Sequence, residues 1–71
     1  MAGLSLAMPP RFVDLIDTSG CHILINVTQI TAIYENEHYS CIRTTDGRVY
    51  FFNDSLSKIV NDVLMIINVG Y

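Results

Sequence analysis

The chain has 71 residues, carries a net charge of −3 and contains only four Lys or Arg side chains. A length of 71 residues holds one domain at most, and its core buries only about 60% of the unfolded surface, which leaves little room for an enzyme cleft. The cations Arg11, Arg43, Arg48 and Lys58 are scattered, whereas phosphate-backbone binding needs them clustered, so a dedicated nucleic-acid binder is disfavoured.

Residues 1–10 (MAGLSLAMPP) read as a flexible N-terminal tail, and 11–71 as a single β-rich domain with a C-terminal helix. Pro9-Pro10 is extended by geometry and lacks two backbone donors. Arg11 to Asp17 alternates in a strand pattern, with Phe12, Asp14 and Ile16 on one side and Val13, Leu15 and Asp17 on the other. Thr18-Ser19-Gly20 is turn chemistry, and Cys21 to Ile25 is the second strand, paired with the first as a hairpin. Asn26 to Gln29 breaks the pattern and reads as a turn or a single 3₁₀ turn. Ile30 to Glu35 is the third strand, Asn36-Glu37 a turn, and Tyr39 to Thr45 the fourth strand. Asp46-Gly47 is a hairpin signal of the type I′ kind, which needs two residues tolerant of positive φ. Arg48 to Phe52 is the fifth strand.

Asn53, Asp54 or Ser55 then caps a helix. Leu56, Ile59, Val60, Val63, Leu64 and Ile67 fall at i, i+3, i+4, i+7, i+8 and i+11, an apolar stripe of helical period. Met65 and Ile66 fall off that stripe and are expected at the surface, and Asn68 and Gly70 are stop signals. The expected fold is α+β: a small bent antiparallel β-sheet of about five strands, followed by one amphipathic helix packed on one face.

Composition adds a constraint on assembly. Hydrophobic residues make up 51% of the chain and charged residues 15%, more apolar material than a small sphere hides. Both faces of the second and fifth strands are apolar, so the sheet needs two covers and the helix supplies one. A homo-oligomer or a protein partner is the expected second cover. The cysteines, Cys21 and Cys41, read as thiols in a reducing compartment rather than a disulfide framework. The first ten residues lack the charged start of a signal peptide, and no run reaches the ~20 apolar residues of a membrane span. The expected location is the cytoplasm.

Candidate chemistry is sparse. Cys21, His22, His38 and Cys41 are the soft metal ligands, but adjacent or three-apart positions on strands point to opposite faces, so no metal or cofactor is expected. The plainer reading is two buried thiols and two edge or turn histidines. A cysteine nucleophile needs a neighbouring base, and His38 reaches Cys41 only if the intervening turn folds back. The seven acidic residues are spread along the chain rather than paired, and the glycines are isolated, so no phosphate-cradling loop is present. Together these features point away from an enzyme. Tyr39, Arg43, Arg48 and Tyr50 are the candidate site for an anionic or nucleotide-like ligand, since aromatic rings beside cations form stacking platforms. Tyr50, Phe52, Met65 and Ile66 are the candidate interaction surface, the aromatic pair on one side of the fifth strand and the other pair off the helical stripe.

The run Ile30-Thr31-Ala32-Ile33-Tyr34-Glu35, then Tyr39, then Thr44 to Tyr50, then Ser55 to Ile59, resembles two families. One is the FlbD-like family of small bacterial and phage proteins, in which a strand, an N-x-x-x-I phrase, a second hairpin and a closing S-x-x-x-I helix make up nearly the whole protein. Asn26 and Ile30 match the phrase, and Ser55 and Ile59 match the closing helix. The other is the first half of the LytTR DNA-binding domain, whose second half, with its basic DNA contacts, has no counterpart here. The resemblance covers about residues 11–64 and implies a small regulatory module of bacterial or phage kind. The expectation is a non-enzymatic, oligomeric protein-interaction module. The alternatives are a small-ligand binder or a nucleic-acid-binding regulator.

Overall fold

The computed structural model describes residues 11–68, which form strands β1 (Phe12–Ile16), β2 (His22–Asn26), β3 (Ile30–Glu35), β4 (Ser40–Thr44) and β5 (Val49–Phe52), then helix α1 (Leu56–Asn68). The expected tail, residues 1–10, and the stop signal Gly70 lie outside the described residues. The α+β architecture is the expected one, but the strands divide into two antiparallel sheets, a β1-β2 ribbon and a β3-β4-β5 meander.

Asn26 makes the division. Its side-chain oxygen accepts from Thr28 N at 3.0 Å and from Thr28 Oγ1 at 2.8 Å. A local side-chain acceptor of this kind competes with strand pairing. The chain therefore enters a 3₁₀ turn over Val27–Gln29 instead of running straight into β3.

Two hairpin loops share one geometry. Gly47 N donates to Thr44 O at 2.9 Å and Thr44 N to Arg48 O at 3.0 Å, enclosing a three-residue loop. Gly47 has φ +85°, and among the described residues only glycines have positive φ. Asp46 is therefore not in the left-handed region, and the turn is a type I turn closed by a glycine bulge rather than the expected type I′. The Asp46 carboxylate stabilises the longer loop, because its Oδ1 accepts from Thr44 Oγ1 and from Arg48 N. The β1-β2 loop repeats the pattern, with Gly20 at φ +84°, Gly20 N donating to Asp17 O and Asp17 N to Cys21 O.

The inner faces of both sheets meet α1. Val13 and Leu15 of β1, Ile25 of β2, Ile42 of β4 and Phe52 of β5 are buried with Ile59 and Val63 of α1. The helix packs on β1, β3, β4 and the 3₁₀ turn. Its inward arc differs from the expected stripe. Ile66 packs against the core, while Leu64 and Ile67 are exposed. At about 100° per residue, Val63 and Ile66 lie within about 40° of Ile59 around the axis and Leu64 about 140° away. The direction of the core, not the count of apolar residues, selects the buried set.

The open edge of β2 faces the β4-β5 hairpin across a gap. Among the described residues, one backbone bond outside the ladders joins ribbon and meander, Thr18 N donating to Phe51 O at 3.1 Å, while Thr45 N donating to Gln29 O at 2.8 Å extends the β3-β4 ladder by one pair beyond Ile30 and Thr44. The two sheets share no ladder.

Candidate interaction surface

Strand alternation and register place a row of aromatic side chains on the outer face of the meander, opposite the helix. Tyr34 of β3, Cys41 of β4 and Phe51 of β5 lie in register, as do Ala32, Arg43 and Val49. Phe51 is 41% exposed and meets the Tyr39 ring edge-on at 5.9 Å. His38 stands beside Tyr39 at 6.1 Å, and the Arg43 guanidinium lies 5.8 Å over the Tyr34 ring. Cys41 is fully buried between these flanking rings, and Asn36 Nδ2 approaches its sulfur at 3.8 Å. Asn36 also shapes the β3-β4 turn, where its Oδ1 accepts from His38 N and Tyr39 N, both at 2.8 Å. That turn carries Tyr39 beside Phe51. Rings and a cation on one sheet face make a surface suited to apolar and stacking contacts.

The expected interaction residues separate. Phe52 is fully buried and cannot contact a partner, and Tyr50 is half-buried on the same inner face. Ile66 packs against the core, and Met65 is exposed on the far side of the helix. Both faces of β5 are apolar, so period two alone does not say which face turns inward. The helix takes the Tyr50–Phe52 face, and the outer contact falls to Phe51.

The expected ligand set also does not converge. Arg43 is on the outer face, while Tyr50, the partner of Ile42, is on the inner one. Arg48 Nε lies 3.3 Å from Asp46 Oδ2 at the loop. Tyr39 belongs to the aromatic row. Arg48 thus pairs with an exposed carboxylate at the loop, away from Tyr39. Of the soft ligands, Cys21 is exposed rather than buried, and His22 Nδ1 pairs with Asp14 Oδ1 at 3.1 Å on the outer side of the ribbon. Among the described residues no three His, Cys, Asp or Glu side chains converge.

A second feature was not legible in sequence. The gap between β2 and the β4-β5 hairpin is an open slot of about 220 Å³, walled by Leu24, Ile25 and Asn26 on one side and by Thr44, Thr45 and Tyr50 on the other. Leu24 is 65% exposed, and Phe12 and Ile16 are its exposed diagonal neighbours on the ribbon. No local pattern marks the slot, because it arises only where two separate sheets come together.

Among the described residues no helix is long and apolar enough to cross a membrane. Neither family models, nor curated proteins, nor solved structures match this chain.

Proposed function

We propose that this protein is a small, non-enzymatic interaction module that self-associates and engages a protein partner in the cytoplasm through the outer face of β3-β4-β5. The aromatic row of Tyr34, Phe51 and Tyr39, which no described element covers, carries this reading. An uncovered sheet face of this kind is the usual mark of an interaction site, and buried aromatic anchors dominate such contacts. The resemblance to the FlbD-like family agrees with a regulatory role.

Phe51→Asp tests the reading. It places a charge in the aromatic row, on the β5 side of the face, while leaving the buried partner set of Phe52 and Ile59 intact. The expected result is a shift from an assembly to the 8.0 kDa subunit in native mass spectrometry, with the circular dichroism of the folded chain retained. An assembly that survives Phe51→Asp would refute the reading.

A nucleotide-like ligand is the second reading, favoured only by the Tyr50-walled slot. Absorbance near 260 nm that co-purifies with the protein and is lost with Tyr50→Ala would move it to the front. Nucleic acid remains disfavoured by the charge of −3.

A further inference from the structure

The β1-β2 ribbon is a nearly separate body. It shares no ladder with the meander and is joined to it by the Thr18–Phe51 backbone bond, with the slot beside β2. Among the described residues, its sole covalent link to the rest is the 3₁₀ turn Val27–Gln29. Yet the ribbon supplies Val13, Leu15 and Ile25 to the core, all buried. A two-stranded ribbon is marginal in water by itself, and a meander stripped of it exposes Ile42 and Phe52. Each body therefore requires a ribbon-to-meander contact, but nothing in that contact requires both bodies to come from one chain.

The connector is built to allow either choice. Asn26 and Ile30, which flank the turn, are already extended, at φ −70° ψ 115° and φ −81° ψ 126°. Changing the dihedrals of Val27–Gln29 alone would run β2 into β3 as one arm. The arm would carry the ribbon away from its own meander and onto that of a second copy. The same buried faces and the same Thr18–Phe51 stitch would then re-form between chains.

We infer that a second copy of this chain associates by reciprocal exchange of the β1-β2 ribbon, with Val27–Gln29 as the hinge. The closed form keeps the Asn26 cap on Thr28 N and the burial of Val27, so the monomer persists at low concentration. The exchanged dimer rises with concentration, since it repeats every other contact and gains only by mass action. This inference rests on the proposed self-association alone and not on the outer-face contact, so an exchanged dimer would survive Phe51→Asp. It differs in its contact, which is the inner face of the ribbon rather than the outer face of the meander.

The experiment uses the full chain with the exposed Cys21 replaced by Ser and the buried Cys41 left in place. Leu24→Cys and Thr45→Cys stand on opposite walls of the slot, and neither belongs to the buried core. The two single variants are mixed, unfolded in denaturant, refolded together at high concentration and treated with a short bismaleimide. Exchange predicts a covalent dimer, twice the 8.0 kDa subunit on a denaturing gel, from the mixture and from neither variant alone. An assembly by native mass spectrometry that gives no such mixed cross-link overturns exchange and leaves self-association standing. Cross-linking of Leu24→Cys alone also overturns exchange, because it reports a contact between outer ribbon faces. A monomer at every concentration overturns both. Deletion of Thr28 is the second variant. It shortens the turn so that the ribbon cannot fold back, and it should yield a dimer at concentrations where the parent chain is monomeric. A folded monomer from this variant would count against exchange.

Discussion

At the β4-β5 loop, Asp46 accepts from Thr44 Oγ1 and Arg48 N, and its second oxygen faces Arg48 Nε at 3.3 Å. The Thr44 hydrogen bond, followed by the Arg48 N–H and then the Arg48 charge, holds this carboxyl below its ordinary 3.8. A carboxylate favoured in the folded state contributes stability that is full above the unfolded pKa and is lost as pH falls through the folded one. Asp46→Asn should therefore lower the Tm at neutral pH, and the gap to the parent chain should close below about pH 4. Melts that show the same gap at both ends would refute this role. Lys58 has the opposite sign. Its hydrogen bond to Asp62 at 2.8 Å, then the Asp62 and Asp54 charges, raise its pKa above 10.5. That contribution is present throughout the neutral range and is lost only as pH rises through the folded value. Both residues lie at the surface, where such pairs add little.

Helix α1 begins where one hydroxyl settles a choice left open by the sequence. Asn53, Asp54 and Ser55 are all capping residues. In the fold, Ser55 Oγ accepts from Lys58 N at 3.2 Å, and Ser55 O accepts from Ile59 N at 3.1 Å. The Asp54 carbonyl is held by the buried Ser40 hydroxyl of β4 at 2.7 Å, so the residue before the cap is anchored to the meander. Ser55→Ala should cost about 1 kcal/mol by urea denaturation, and Ser55→Asp should restore most of it. No change in the midpoint with Ala would mean that the cap contributes nothing. The start of the helix was legible because capping and the 3.6 period are local signals. Which flank of the stripe is buried was not, because Leu64 and Ile66 are equally apolar and only the position of the sheet separates them.

Across the whole molecule, the helix decides the character of each sheet face. Phe51 and Phe52 are adjacent and chemically identical, yet one is 41% exposed and the other fully buried. Phe52→Ala should cost about 3–5 kcal/mol, a large share of a small domain's stability. Phe51→Ala should cost well under half of that, because most of what it removes is already wet. Denaturant midpoints compare the two, and equal losses would contradict the alternation. The two loops and the five strands were readable in advance, because Gly, Asp and β-branched residues act within a few positions of themselves. The split into two sheets was foreshadowed only as an irregular Asn26–Gln29, whose hydrogen bonds show why the chain bends there.

By itself, the sequence determined the order of elements, their approximate bounds, the capped helix and an excess of apolar surface, since each follows from local period and composition. The tertiary structure alone decided that Phe51 rather than Phe52 faces outward, that Arg43 and Tyr50 stand on opposite sides, and that a slot lies between β2 and the β4-β5 hairpin. The reason is physical: alternation divides a strand into two faces but carries no label for the inner one. That label comes from where a distant helix packs, and a gap between two sheets exists only after both have formed.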